Sequence, residues 1–192
     1  MKKIIVAISG ASGSVYAIDL LKALQQIPEV EVHGVISDWA YENIRLETDL
    51  TKQQVEALLD VHYNNRDLSA AISSGSFLID AMIIVPASMK TIAGIANGFH
   101  DGLIGRAADV TLKEKRELIL VPRETPLSPI HLENLTKLAN LGVKIIPPMP
   151  AFYNHPKSIQ DLITHQTMKL LDALNINHSF GKRWQGDQNE RV

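Results

Sequence analysis

A turn of small residues follows the first apolar run of the chain, and its residue types suit the binding of an anion. Gly10 and Gly13 lack side chains, so a ligand can approach the backbone closely. Ser12 adds a hydroxyl group that can donate or accept a hydrogen bond. Because a helix is predicted directly afterwards, its first N–H groups and its positive dipole end would meet at this turn. The turn is predicted either to seat a phosphate or simply to close a βα unit, since its Gly-x-x-Gly spacing matches neither the dinucleotide fingerprint nor the P-loop.

A second candidate phosphate seat is the segment Ser88–Thr91, which follows the apolar run Ala81–Val85. Ser88 is predicted to cap a helix, with Lys90 and Thr91 in its first turn. Free N–H groups, two hydroxyl groups and an ammonium group would together grip a phosphate monoester. A plain helix cap without a ligand explains the same residues equally well.

Arg123 and Glu124 stand between Pro122 and Pro126, and the prolines stiffen the loop that presents them. A guanidinium group there suits a bidentate grip on phosphate, and the neighbouring carboxylate can take part in proton transfer. Consecutive side chains point apart on most backbones, so the two need not pair with each other. Surface salt bridges to other partners explain these two residues equally well.

Five further polar residues look ordinary when each is taken alone. Glu47 follows the second apolar run, and most glutamates are solvated surface residues. Arg106 and Lys113 lie seven residues apart on one predicted helix and therefore on one face, where a solvated basic stripe is the simplest interpretation. Tyr153 and Lys169 carry no local signal of function.

The elements that must position these residues alternate between apolar β-branched runs and amphipathic stretches. The predicted strands are Ile4–Ile8, Val30–Ile36, Ala81–Val85, Leu118–Val121 and Val143–Ile146. Helices are predicted at Tyr16–Gln26, Thr51–Asp60, His131–Leu141 and Ser158–Leu174, in addition to those that follow Ser88 and contain Arg106. This alternation predicts a three-layer α/β/α fold, Rossmann- or flavodoxin-like, with a mostly parallel sheet.

Ligands of such sheets bind beyond the carboxyl ends of the strands. The segments that follow the five predicted strands carry hydroxyl groups, charges or a phenol, and we expect them to converge on one cleft. They are Gly10–Gly13, Ser37–Trp39, Ser88–Thr91, Pro122–Pro126 and Pro147–Tyr153.

The composition excludes several classes of function. A net charge of −2 in 192 residues gives no basic field for nucleic acid or an anionic membrane. The absence of cysteine excludes disulfides and thiol nucleophiles and is compatible with a reducing cytoplasm. The seven histidines show no metal-ligand spacing, and no apolar run approaches a membrane span. We therefore expect a cytoplasmic protein with a metal-independent site that uses a cofactor.

The chain length fits a single domain, which we assign to residues 1–174. Residues 175–192 are polar and contain two glycines, which is typical of a tail or an arm. Trp184 is the one residue of this segment that we expect to dock, and a neighbouring subunit is its predicted partner.

Taken together, these motifs resemble the UbiX-like flavin prenyltransferases, a family formerly described as aromatic or phenolic acid decarboxylase subunits. The resemblance covers nearly the whole chain, and Val121–Pro126 with His131–Asn134 are its most specific parts. Further matches are Gly10–Gly13, Glu47–Asp49, Ile104–Val110, Leu112–Glu114, Phe152–Tyr153 and Arg183–Trp184.

The resemblance implies a reaction in which dimethylallyl phosphate alkylates reduced FMN at N5 and C6. The product, prenylated FMN, would serve a separate UbiD-like aromatic acid decarboxylase, and the enzyme would assemble into a dodecamer. Cleavage of an allylic C–O bond leaves a phosphate dianion and a delocalised cation. The site must therefore clamp the phosphate and exclude water from the cation.

The resemblance also implies roles for individual residues. Ser12 and Glu47 would assist proton removal near the flavin, and Glu124 would assist proton transfer to the departing phosphate. The residues implied to hold FMN are Gly10, Ala11, Ser12, Ser37, Ser88, Met89, Lys90, Thr91 and Arg106. Those implied to hold the substrate phosphate are Lys113, Arg123, Tyr153 and Lys169.

Two residues depart from the pattern of some relatives. Leu68 stands where some carry a tryptophan, which is expected to loosen the prenyl pocket or alter the donor that fits. Lys90 stands where some carry glycine.

Two other functions remain open at this point: an FMN carrier without chemistry and an FMN-dependent peptidyl-cysteine decarboxylase. The phosphate-binding residue types Lys113, Arg123 and Lys169 argue against the decarboxylase.

Overall fold

In residues 1–184 and 186, which the computed structural model describes, six strands form one sheet. They are β1 (Lys2–Ile8), β2 (Val30–Ile36), β3 (Val61–Asn64), β4 (Ala81–Ala87), β5 (Glu117–Pro122) and β6 (Lys144–Ile145). Their order across the sheet is β3-β2-β1-β4-β5-β6, and every neighbouring pair is parallel. The predicted α/β fold with a parallel sheet is confirmed.

Seven α-helices connect the strands within the same residues. They are α1 (Ser14–Leu24), α2 (Asp38–Glu47), α3 (Lys52–Glu56), α4 (Met89–Ala96), α5 (Leu103–Lys113), α6 (Pro129–Asn140) and α7 (Ile159–Ala173). A 3₁₀ turn covers Ala71–Ser73. The longest helix, α7, has 15 residues, and none in the described chain combines the length and the apolar character of a bilayer span.

The helices cover both faces of the sheet, as predicted. Alternate residues of β1 enter two separate apolar clusters: Ile4 and Val6 pack with α1, α2 and α7, whereas Ile5 and Ala7 pack with α4, α5 and α6. Because side chains of a strand alternate between faces, a strand buried on both sides reads as an unbroken apolar run. This is why the central strands were visible in the sequence.

Two elements were missed, and one predicted helix was too long. Strand β3 lies at the sheet edge with alternate residues exposed, and α2 buries only Ala40 and Ile44, so neither gives a strong apolar pattern. The helix predicted to reach Asp60 ends at Glu56. Beyond it, Leu59 packs over β2 at Gly34, where a Cβ atom would lie 2.2 Å from a Leu59 methyl group.

Side-chain caps begin most of the helices that follow strands or loops. Ser158 caps α7 in a capping box with Asp161. His131 does the same for α6: its ring Nδ1 accepts from the N–H of Ser128, and its own N–H donates to the Ser128 hydroxyl group.

The C-terminal segment packs onto the domain as far as the structure describes it. Ile176 is buried in the cluster of α1 and α7, and Asp172 of α7 binds both His178 and Arg183. Trp184 contacts Tyr153 of the same chain and is 60% exposed. Residue 185 and residues 187–192 of the predicted tail lie outside the described residues.

Candidate functional site

The carboxyl ends of β1, β2 and β4 open into one cavity of about 460 Å³. Connections leave β1 and β4 in opposite directions across the sheet, so this is the topological switch point at which such folds bind ligands. The volume lies within the usual range of small-molecule sites. Five of the residues predicted to hold FMN line this cavity: Gly10, Ser37, Ser88, Lys90 and Thr91.

Helix α4 directs its N-terminus into this cavity. The Ser88 hydroxyl group accepts from the N–H of Thr91 at 3.2 Å and lies 3.0 Å from the Thr91 hydroxyl group, which confirms the predicted cap. The first N–H group that donates within the helix is that of Ile92, to the carbonyl oxygen of Ser88, so the N–H groups of Met89 and Lys90 have no acceptor inside α4. Together with the helix dipole they form an anion site at the wall of the cavity.

Ser9 connects the two loops that form this cavity. Its buried hydroxyl group donates to the carbonyl oxygen of Pro86 at 2.9 Å and accepts from the N–H of Ser88 at 2.8 Å. The turn after β1 is thereby fixed against the start of α4. Sequence reasoning missed this residue, although a hydroxyl group at the end of an otherwise apolar strand is a visible signal.

The space above Gly10 is limited by the first turn of α2. A Cβ atom at Gly10 would lie 2.8 Å from the Cβ of Trp39, so a larger residue would push the two segments apart. The largely exposed side chains of Trp39 and Phe99 also line the cavity. A cavity with a polar helix end and exposed rings suits a ligand with a phosphate and a flat aromatic part.

The N-terminus of α1, where the sequence predicted a phosphate, is occupied by the carboxylate of Glu47. This group accepts from the N–H of Gly13 at 2.9 Å, from the N–H of Ser14 at 2.8 Å and from the Ser14 hydroxyl group at 2.6 Å. Gly13 has a φ of 103° and no side chain to cap the helix, so the last residue of α2 supplies the cap. The structure thus shows this turn closing the βα unit, which is one of the two predicted alternatives, and a phosphate at the turn stays a prediction.

These contacts favour the ionised form of Glu47. Burial is the largest single influence and raises the pKa of its carboxyl group, but the hydrogen bonds from Ser14, Ser12 and the backbone of Gly13 outweigh it. The net result is a pKa below the ordinary value. Glu47 is therefore a charged cap that orders the turn Gly10–Gly13.

The remaining residues predicted to hold FMN do not line the cavity with their side chains. Ala11 is buried, and its N–H donates to the carbonyl oxygen of Ser9 at 2.9 Å. Met89 packs against the cluster of α4 and α5. Ser12 uses its carbonyl oxygen to accept from Arg123.

Arg106 faces another part of the surface. Ile104 and Gly105 line the cavity, but the next residue of α5 is rotated by about 100° around the helix axis. Its guanidinium group donates to the carbonyl oxygen of Ser73 at 3.1 Å and to Asp109 at 2.9 Å. The predicted contact of Arg106 with FMN is thus not formed by the cavity of the same chain.

The four residues predicted to hold the substrate phosphate lie in three places. Lys113 pairs with Glu114 and shares a shallow recess with Arg106 and Ser73–Ser76. Arg123 lies against the turn after β1, where its Nε donates to the carbonyl oxygen of Ser12 at 3.2 Å. The side chain of Glu124 contacts the N–H of Thr125 instead, so the neighbouring pair faces separate partners as expected.

Tyr153 and Lys169 belong to the third place, beside the C-terminal segment. The Tyr153 ring packs edge-on against His165 and Trp184, with 5.7 Å between ring centroids in both pairs. Burial, followed by the positive charge of Lys169 one turn further along α7, lowers the pKa of His165. A cavity of about 700 Å³ opens between Tyr153 and the segment Ser179–Trp184.

Leu68, which was expected to affect the prenyl pocket, is 55% exposed and lies in the loop between β3 and the 3₁₀ turn. Its neighbour in this loop, Asn65, does line the first cavity. The amide group of Asn65 accepts from the N–H of Ile104 at 3.0 Å and so orients the start of α5. Sequence reasoning gave no signal for Asn65.

The chain is similar to known flavoproteins along most of its length. A family model described as Flavoprotein matches residues 1–169. Flavin prenyltransferase LpdB of Lactiplantibacillus plantarum is 65% identical over 187 residues, which are 97% of this chain and 100% of that protein.

Two solved structures superpose with a TM-score of 0.94. One is a dodecameric FMN-dependent UbiX-like decarboxylase from Escherichia coli O157:H7, which is 52% identical; the match covers 96% of this chain and 100% of that one. The other is AnUbiX in complex with FMN and dimethylallyl pyrophosphate, 48% identical, with 96% and 98% of the two chains covered.

Proposed function

The chain belongs to the flavoprotein family and, within it, to the UbiX-like flavin prenyltransferases, and we propose that it joins the dimethylallyl group of dimethylallyl phosphate to reduced FMN in the cavity at Ser88. The observation that carries this proposal is the N-terminus of α4, which faces the cavity and is tied to β1 through Ser9. A rigid anion site at a topological switch point is what a flavin mononucleotide requires.

The cavity residues fit FMN by type and position. The phosphate would accept from the first N–H groups of α4 and from the hydroxyl groups of Ser88 and Thr91, with Lys90 at the entrance. Gly10 lets the first turn of α2 pack closely, which places Trp39 at the wall of the cavity where a planar ring system would bind. When bound, reduced FMN supplies the nucleophilic N5 and C6 atoms of the reaction.

Glu47 and Ser12 would act on the same turn in different ways. A carboxylate that accepts three hydrogen bonds and has a lowered pKa is a weak proton acceptor near neutral pH. We therefore assign Glu47 the task of holding the turn Gly10–Gly13 in place. The Ser12 hydroxyl group is then the better candidate for direct contact with the proton removed during ring closure.

Departure of the phosphate needs positive charge at the leaving oxygen atoms. Arg123 and Lys169 would supply this charge, Tyr153 would donate a hydrogen bond, and Glu124 would deliver a proton to the departing phosphate. Lys113 faces a separate recess of the chain, so we propose that it reaches the donor bound to a neighbouring subunit, while Arg106 in the same recess reaches the FMN of that subunit. A dodecameric relative supports an assembly in which such recesses meet.

One relative is solved in complex with dimethylallyl pyrophosphate, and we propose the monophosphate as the donor here. The prenylated FMN would pass to a UbiD-like aromatic acid decarboxylase. Both steps would take place in the cytoplasm, in line with a chain that lacks cysteine.

Anaerobic turnover tests this function directly. Purified protein is mixed with reduced FMN and either dimethylallyl phosphate or dimethylallyl pyrophosphate, and the extracted flavin is analysed by mass spectrometry. The proposal predicts a flavin that has gained one five-carbon unit, with release of phosphate from the monophosphate. Tightly bound but unmodified FMN with both donors would instead support the alternative of a flavin carrier.

A further inference from the structure

Three charged or polar side chains meet where the C-terminal segment crosses α7. The Asp172 carboxylate accepts two hydrogen bonds from Arg183, at 2.7 and 2.9 Å, and lies 3.1 Å from Nε2 of His178. The Phe180 N–H donates to Nδ1 of His178 at 3.1 Å, which places the ring proton on Nε2 and makes it a donor to Asp172. The His178 side chain is fully buried although the segment lies at the surface.

Two more contacts fix the same segment from other sides. The side-chain amide of Asn154 donates to the carbonyl oxygen of Lys182 at 2.8 Å and so links the segment to the loop that carries Tyr153. Gly181 turns the chain with a φ of 75° directly over Met168, and a Cβ atom at Gly181 would lie 3.0 Å from that side chain. The path of residues 178–184 is therefore specified by contacts on α7 and on the preceding loop.

Because of this path, the segment borders a cavity that is also lined by Tyr153, one of the residues proposed to hold the donor. Trp184 is brought edge-on to Tyr153, and the segment forms one side of the cavity of about 700 Å³ whose other side is Tyr153–His155. Aromatic side chains next to a phosphate-binding group suit an allylic phosphate, since they cover the hydrocarbon part and stabilise positive charge.

The contacts of Arg183 indicate a structural role, because its guanidinium group is paired with Asp172 and is not available to bind a phosphate. Both of its terminal nitrogens bind Asp172, and this guanidinium group is the main cause that keeps the pKa of Asp172 below its ordinary range. A bidentate arginine–carboxylate pair is a geometrically specific contact. The Arg183–Asp172 pair would therefore affect donor binding only indirectly, by fixing the position of Trp184.

We propose that Asp172 is a positioning residue of the donor site, which fixes the segment Ser179–Trp184 through His178 and Arg183 as the side of the cavity that faces Tyr153. This inference rests on the proposed function, because it assumes that an allylic phosphate binds beside Tyr153. Asp172 and Arg183 touch neither donor nor flavin in this scheme. They set the affinity for the donor and leave the chemical step unchanged.

Steady-state kinetics with dimethylallyl phosphate as the varied substrate test the proposal in Asp172→Asn and in Arg183→Lys, which keeps the charge but loses the bidentate geometry. Both variants are expected to raise KM about tenfold, the lower end of the effect of losing a charged hydrogen bond, with kcat and FMN affinity unchanged. Glu42→Gln is the matched control, because it removes a surface ion pair with Arg45, at 3.1 Å, that contacts no cavity.

A second readout does not depend on activity. The chain contains two tryptophans, so in a Trp39→Phe background Trp184 is the only tryptophan fluorophore. Acrylamide should quench it more strongly once Asp172→Asn is added, because the ring is no longer held against Tyr153. Arg183 is half exposed, so its substitution does not disturb the core.

The outcomes separate this inference from the proposed function. If the wild-type protein does not turn over the donor, the proposed function fails, and the fluorescence still reports on the segment. If it does turn over and both variants keep the wild-type KM, the positioning role is wrong. A fall in KM in Asp172→Asn would also overturn it, since that result would mean that the released Arg183 binds the phosphate itself.

Discussion

The carboxylate of Glu47 accepts hydrogen bonds from both the hydroxyl group and the backbone N–H of Ser14, at 2.6 and 2.8 Å. An anion therefore does bind at the N-terminus of α1, but it is supplied by the protein from 33 residues further along the chain. Because that site is taken, the N-terminus of α4 is left as the anion site of the cavity. The roles of the two helix ends thus differ although both follow a central strand.

Glu47→Gln is expected to lower the free energy of unfolding at neutral pH by about 1 kcal/mol, the usual value of a helix cap, because an amide replaces the charge beside these donors. The pKa of Glu47 is lowered in the folded state, so that state binds fewer protons than the unfolded chain. Its contribution is present above the unfolded pKa and is lost as the pH falls through the folded pKa. Urea titrations at several pH values measure the difference from the wild type.

That difference should be largest near neutral pH and shrink as the solution is made acidic. Glu29→Gln is the control, since Glu29 is exposed and its side chain forms no hydrogen bond or ion pair in the described chain. A difference for Glu47→Gln that does not vary with pH would contradict the assignment of Glu47 as a charged cap.

Ser9→Ala is expected to weaken FMN binding about tenfold, because the N–H of Ser88 loses its acceptor and α4 is no longer fixed against β1. Ser9→Thr keeps the hydroxyl group and should restore most of the affinity. Titration of the apoprotein with FMN, followed by flavin fluorescence, gives the dissociation constants.

Thr111→Val controls for the loss of a buried hydroxyl group elsewhere. Thr111 donates to the carbonyl oxygen of Ala107 at 2.7 Å inside α5 and does not line the cavity. Its substitution should reduce stability without changing the affinity for FMN. Equal affinities for Ser9→Ala and the wild type would show that Ser9 serves the fold only.

The parts of the fold that could be predicted from the sequence are those in which burial dictates residue type. A strand such as β4, buried on both faces, must be apolar throughout and so is recognisable. Edge strand β3 is half exposed, and α2 buries only Ala40 and Ile44, so their sequences carry little apolar pattern. Burial also explains the missed end of α3, since only tertiary packing sets Leu59 over Gly34.

The residues of the candidate site also differ in whether the sequence could predict their contacts. Ser88 could be identified because a cap followed by a helix is a local pattern, and the structure contains that cap. The partners of Ser9, and most of those of Glu47, are backbone groups, which are present in every residue and so cannot be recognised from the sequence. Arg106 shows the reverse case, because its helix reaches the cavity but its rotation around the helix turns the side chain elsewhere.

Gly34→Ala is expected to lower the free energy of unfolding by about 1–3 kcal/mol, the usual range for overpacking a core. The added Cβ would lie 2.2–2.8 Å from three atoms of Leu59, so the segment after α3 must move. Leu59→Ala removes those atoms, and the double variant should be more stable than the sum of the two single effects predicts. Chemical denaturation of all four proteins measures this coupling, and strictly additive effects would contradict the close packing.

Mixed assemblies test whether the donor site is shared between subunits. Lys113 and Tyr153 lie in separate recesses of one chain, so Lys113→Ala and Tyr153→Phe should each reduce turnover more than about tenfold when expressed alone. If one active site takes Lys113 from one subunit and Tyr153 from another, random co-assembly leaves about a quarter of the sites with neither substitution. Co-expressed variants carrying different tags, purified through both, should therefore recover about a quarter of the wild-type rate. Recovery that does not exceed the activity of the single variants would mean that both residues act within one chain, and the proposed sharing of the site would be wrong.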